Sequence, residues 1–201
     1  MSNGKKYGLT SYGGRILHGP YRSPLKERVA GLIAAFSAFD QTGVPGIPYI
    51  SAWLHDGSRM WYEFAGREFT RLFHCGTEQL AELFREAVVE HRLFHRNEVE
   101  AGILEIARSG KELSNSRRGL RAEVSQRGSV EAVYKIAPGP EVVALWFKDR
   151  ARVETFGADG ISVSYGFLTD ITNEMGQRDL LEQIGYFDHL TGLPNRLIMQ
   201  R

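Results

Sequence analysis

The sequence predicts an α+β domain, with helices packed on one face of an antiparallel sheet. Three observations lead there. Hydrophobic periods of 3.6 and 2 follow one another in the order helix, two strands, a cluster of helices, then about three strands. The strand candidates near the C-terminal end are joined by short turns, APGP (137–140) and GADG (157–160). The 201 residues are 42% hydrophobic, 24% charged and 11% aromatic, which is enough apolar side chain to fill a core.

The elements are taken in chain order. Residues 1–23, rich in Gly, Ser, Tyr and Arg, read as an N-terminal arm, flexible or partly docked. A helical unit spans 24–44. Ser23 is a suitable N-cap, and Pro24 is tolerated in a first turn. Leu25, Val29, Leu32, Ile33 and Phe36 then make one apolar face, ending near Asp40 before TGVPGIP (42–48). IPYISAWL (47–54) and RMWYEFA (59–65) are strands around the Asp56-Gly57 turn. REFTRLFH (67–74) is a short helix.

A longer helix is expected over 77–96, capped by Thr77, with Leu80, Leu83, Phe84 and Val88 on its apolar face. Another follows from Asn97, with Val99, Ile103, Ile106 and Ala107 at helical spacing, ending near Gly110. The period then shortens to 2. LRAEVS (120–125) and SVEAVYKI (129–136) are strand candidates. In 141–156, Val143, Leu145, Phe147, Ala151 and Val153 share one face; Lys148, Arg150, Arg152 and Glu154 share the other. ISVSYGFLTDI (161–171) groups Ile161, Val163, Tyr165 and Phe167. From Thr172 the period is helical again, with Leu180, Ile184 and Phe187 suited to pairing with a second copy. Gly176 and Gly185 weaken that helix by about 1 kcal/mol each, so it needs a partner surface.

Charge and composition exclude several function classes. Lys plus Arg (25) balances Asp plus Glu (24), so the chain as a whole has no electrostatic pull toward nucleic acid or anionic lipid. One cysteine, Cys75, excludes an internal disulfide and a multi-cysteine zinc site. The N-terminus lacks a secretory signal. The most apolar run, VAGLIAAFSAF (29–39), is far short of the ~20 residues a membrane span needs. A cytoplasmic chain without a membrane span is the expectation.

Local chemistry offers few site candidates. His91 and His95 are four apart, which on a helix would put both rings on one face, but Arg85, Arg92 and Arg96 surround them and disfavour a cation. The expectation is no metal. Cys75 reads as a small buried thiol. His189 lacks the context of a phosphoacceptor. Arg117, Arg118 and Arg121 form a basic cluster that reads as a solvated loop or as the receiver of an acidic ligand group.

Two segments carry a family resemblance. The hairpin VVALWFKDRARVETFGADGISVSYGFLTDIT, with Trp146-Phe147, the Asp159-Gly160 turn and the closing Asp170-Ile171-Thr172, resembles the C-terminal half of a PAS domain. FDHLTGLPNR (187–196) resembles the opening motif of GGDEF domains at Asp188, Leu190, Thr191, Gly192, Leu193, Asn195 and Arg196. The resemblance implies a PAS-like sensor over 45–172, with a five-stranded antiparallel sheet and short helices on one face. A signalling linker helix over 173–187 and the start of a GGDEF domain over 188–201 would follow.

The implied function is sensory control of a diguanylate cyclase, which condenses two GTP into cyclic di-GMP. None of the cyclase's catalytic residues is present in the chain, so the fragment itself is non-catalytic, and GTP and Mg²⁺ belong to the missing part. A Gly-Gly-Glu-Glu-Phe-like segment is expected about 70–80 residues downstream. The cofactor of the sensor, if it has one, is unknown: nothing in the chain identifies haem, flavin or a particular metabolite. Phe69, Phe84, Ile103, Leu145, Phe147 and Tyr165 are the candidate lining of a PAS-type pocket for a small ligand, or simply core. Asp170 and Thr172 suit the strand-to-helix junction as caps and as the stiff joint of a signal path. A homodimer through the N-terminal and linker helices is implied.

Two alternatives stay open. One is a cone-shaped α+β enzyme related to ketosteroid isomerases, with Glu63 or Glu123 as an acid–base carboxylate in an apolar pocket. The other is a stand-alone interaction module.

Overall fold

The computed structural model describes residues 12–96, 103–139 and 143–178. The described elements are α1 (Ser23–Asp40), β1 (Ile47–Leu54), β2 (Met60–Ala65), α2 (Arg67–Leu72), α3 (Thr77–Ala87), β3 (Val88–Arg96), β4 (Ile103–Ser109), α4 (Gly110–Arg127), β5 (Ser129–Ile136), β6 (Leu145–Phe156) and β7 (Ile161–Asp170). An exit helix follows over 172–178. The strands form one antiparallel sheet in the order β2-β1-β7-β6-β5-β3-β4. The α+β class holds, with seven described strands in place of the expected five.

The two extra strands come from segments whose apolar spacing predicts helix. α3 stops at Ala87, and the chain continues as β3 from Val88-Val89, two β-branched residues that favour extended backbone. β3 is then paired on both sides, with β5 from Val88↔Ile136 to Leu93↔Ala132 and with β4 from Glu90↔Ser109 to Arg96↔Ile103. Those ladders satisfy its backbone groups and override the local helical rhythm.

The reverse error lies at 120–125, which is helical within α4. Leu120, Ala122 and Val124 do alternate, yet Leu120, Arg121 and Val124 also lie on one helical side, and that side faces the sheet. Gly110 opens α4 and does not close a preceding helix. The left-handed cap is Gly128, at φ 71°.

The expected side-chain caps are absent. The cap positions of α1 and α3 are Arg22 and Gly76, neither making a side-chain cap bond. At α2 a distant residue supplies the acceptor: Arg67 N–H donates to the Asp40 carboxylate at 3.2 Å.

Each face of the sheet has its own core. On one face, Leu25, Val29 and Leu32 of α1, with Ile16, pack on Ile50, Ala52, Trp61, Ile161 and Val163. On the other, Phe69 of α2 and Leu80 and Ala87 of α3 pack on Tyr49, Tyr62, Ile136, Phe147, Ala151 and Leu168. A smaller cluster joins Met175 of the exit helix to Val133 and Trp146. Residues 12–22 are docked: Ile16 is fully buried, and Arg22 N–H donates to Asp159 at 2.9 Å.

Candidate ligand cleft and exit junction

Between α3, α4 and the facing side of the sheet lies a cleft of about 870 Å³. Its walls are aromatic, formed by Tyr49, Trp53, Tyr62, Phe84 and Tyr134, and its depth holds Asp149, Ser51, Ser164 and His91. The strand period dictates this arrangement. Tyr49, Ser51 and Trp53 are the odd positions of β1, so they turn to the cleft while Ile50 and Ala52 turn to α1.

Asp149 is the chemical centre of the cleft. It is 5% exposed and lies between Phe147 and Ala151 on the cleft side of β6. The Tyr49 hydroxyl donates to its Oδ1 at 2.8 Å, and the Tyr134 hydroxyl bonds to it as well. Burial pushes the Asp149 carboxyl up to about 7, against the downward pull of the two phenol bonds. Burial and the neighbouring carboxylate raise both Tyr49 and Tyr134 above the ordinary phenol range, so they remain O–H donors at neutral pH. His91, 6% exposed, stacks flat on Tyr134 with ring centroids 4.7 Å apart, and Tyr134 meets Phe84 edge-on at 5.5 Å.

At the mouth, Arg121 of α4 reaches across to the β1–β2 turn and donates to the Gly57 carbonyl at 3.3 Å. Burial, and then the charge of Arg85, lower its pKa.

The other face of β2 carries a second buried carboxylate. Glu63 accepts Arg15 N–H and Ile16 N–H at 3.0 Å each, together with Trp61 Nε1–H and the Tyr12 hydroxyl. It staples residues 12–16 to the sheet and takes no part in a pocket floor. Glu123 pairs with Arg127 at 2.7 Å along α4. The buried carboxylate that lines the cleft is Asp149, not Glu63 or Glu123.

Of the six residues expected to line a pocket, Phe84 does so. Phe69 and Phe147 are buried in the adjoining core, with Leu145 packed against it. Tyr165 is on the opposite face, where its hydroxyl joins Arg28 of α1 and Glu154. Ile103 stands opposite Arg96 in the β3–β4 ladder. His91 and His95 share β3, not a helix. Four residues along a strand span about 13 Å, twice the helical distance, so the spacing that suggested a shared ion is lost. Among the described residues, no group of three or more His, Cys, Asp or Glu could hold a metal. Cys75 is half-buried after α2, and burial raises its thiol, which makes it a poor nucleophile.

Asp170 and Thr172 do meet at the sheet exit. The Thr172 hydroxyl donates to Asp170 Oδ1 at 2.6 Å and accepts Trp146 N–H at 2.9 Å; Thr172 N–H also donates to Asp170 at 2.9 Å. Ile171 N–H closes on the Trp146 carbonyl at 2.8 Å. The exit helix thus leaves from a doubly tied corner. Residues 188–196, with the GGDEF-like motif, and the linker beyond 178 lie outside the described residues.

Sequence reading missed Asp149 and its two tyrosines. The signal was present: in β6 the apolar side reads 145, 147, 149, 151, 153, and the middle position is an aspartate. A charge on the buried side of a strand marks either a paired group or a site.

No family model matches the chain, and no curated protein matches it. Among solved structures, the chain is similar to one described as a domain of a light and redox sensing histidine kinase from Haloarcula marismortui. The TM-score is 0.38 and the identity 12%, over 68% of this chain and 98% of that one. A likeness at that level is loose. Among the described residues no helix is long and apolar enough to cross a membrane.

Proposed function

We propose that the chain is a PAS-like sensory and dimerisation module that receives a small ligand in the cleft and controls a diguanylate cyclase opening at 188–196. The observation that carries this reading is the exit junction. The Thr172 hydroxyl ties the exit helix to the backbone of Trp146, which lies three residues from Asp149 on the same strand. Floor and exit are thus about 10 Å apart along β6, and a shift of the strand at the floor bears directly on the helix. The motif at Asp188, Leu190, Thr191, Gly192, Leu193, Asn195 and Arg196 supplies the output identity. For the dimer, α1 presents Ala30, Gly31, Ala34 and Ala38 to solvent, small residues that suit close helix pairing.

The test is cyclic di-GMP production from GTP and Mg²⁺ by the full-length gene product. Thr172→Val is expected to alter the regulated rate while leaving ligand affinity at the cleft unchanged. Absence of cyclase activity, or a rate insensitive to the junction, removes the reading.

A second reading has one observation in its favour: a buried carboxyl held near neutrality beside two phenols suits proton abstraction from carbon. Solvent exchange of the α-protons of a cyclic ketone, lost in Asp149→Asn, would establish that chemistry.

A further inference from the structure

The cleft mouth is over-supplied with positive charge. Arg121 is half-buried, and among the described residues no carboxylate lies in ion-pair reach of it; the Gly57 carbonyl, at 3.3 Å, answers one of its five N–H donors. Arg59, at the end of the same β1–β2 turn, is exposed and likewise has no ion pair there. Arg85 adds a third guanidinium near Arg121 and is itself paired with Glu82 at 2.8 Å. Removing a guanidinium from water without a counter-charge is unfavourable, so a half-buried unpaired arginine in a cleft is a seat for an anion. Below the mouth the walls are flat rings.

We propose that the cleft binds a planar aromatic carboxylate, with its ring between Tyr62, Phe84 and Tyr134 and its carboxylate in the fork of Arg121 beside Arg59. This names the ligand class of the cleft and rests on the sensory reading above. The orientation follows from where the cations lie: Arg121 and Arg59 are at the mouth and the floor holds the Asp149 carboxyl, so the ring points inward and the acid group stays at the mouth. A planar monoanion suits both the slot and the bidentate guanidinium. A dianion would meet Glu78 and Glu82, which also line the cleft.

The test is calorimetric titration of this chain at pH 7 with indole-3-acetate and phenylacetate, each against its neutral amide. The acids are expected to bind about tenfold or more tighter than the amides. Arg121→Gln should bring that ratio to near unity. Arg59→Gln, at an exposed position that does not load the fold, should lower it about threefold and decides the matter if Arg121→Gln fails to fold. Equal binding of acid and amide, an acid preference indifferent to these substitutions, or no binding of either compound overturns the assignment. Each of those outcomes leaves the sensory reading standing, because that reading is decided by the junction and cyclase measurements.

Discussion

Glu63 and Asp149 are 2% and 5% exposed on the same sheet, yet what surrounds them differs. Glu63 is the extra residue where the β1–β2 register slips between Ile50↔Phe64 and Ser51↔Tyr62, and the bulge aims it at the incoming N-terminal segment. There it receives two backbone N–H groups, an indole N–H and a phenol. Asp149 sits in regular ladder and receives phenols alone. Burial is common to both. The number and kind of donors decide whether a buried carboxylate is spent on structure or left facing a cavity.

The largest expected effect breaks the first of these. Glu63→Ala strands four donors and should cost about 3–5 kcal/mol, read as a lower urea midpoint; Glu63→Gln, which keeps an acceptor, should cost less than half of that. An equal loss in both would mean the staple depends on charge and not on acceptor geometry.

The next effect sharpens the contrast by pH. The folded Asp149 carboxyl titrates near 7, above its unfolded value of about 3.9. The folded state therefore keeps a proton that the unfolded state releases. The contribution is full below about pH 4 and is lost as pH rises through about 7. Wild-type stability should fall across that window by a few kcal/mol relative to Asp149→Asn, measured by urea melts at pH 4, 5.5, 7 and 8. Parallel curves for the two proteins would remove Asp149 as the titrating group.

Thr172→Val removes the hydroxyl shared by Asp170 and Trp146 N–H and should cost about 1–2 kcal/mol, with faster amide exchange at Trp146. The smallest effect is expected at the α1 clamp. Arg28 reaches Glu154 at 2.5 Å, but its side chain is 45% exposed, so Arg28→Gln should cost no more than about 1 kcal/mol, and less in high salt.

Much of this fold was legible from the chain alone. α1, the β1–β2 hairpin and β5 to β7 fall where periodicity puts them, because each carries enough alternating or helical residues to commit locally. The segment from Val88 to Arg127 was not legible. VVEHRLFHR has apolar residues compatible with either period, and its fate is set by β5, some forty residues on. The candidate site was legible in one residue. Asp149 stands out within its own strand, whereas Tyr49 and Tyr134 reach it from strands 100 and 15 residues away. Their meeting follows from the strand order β1-β7-β6-β5, which no local pattern encodes.

Gly166 sits in β7 directly opposite Ala151, and a Cβ there would come within 2.5 Å of the Ala151 Cα and meet the Arg150 carbonyl. On that side the strand otherwise carries Ser162, Ser164 and Leu168, while Ile161, Val163, Tyr165 and Phe167 fill the other side. The cleft is therefore roomy because one strand spends its bulk on the opposite core. For anyone reshaping the cavity, Ser164 is an adjustable wall, where larger residues narrow the ligand range. Gly166, next along that side of the strand, allows no such growth, since a side chain there would part β6 from β7 before it altered what binds.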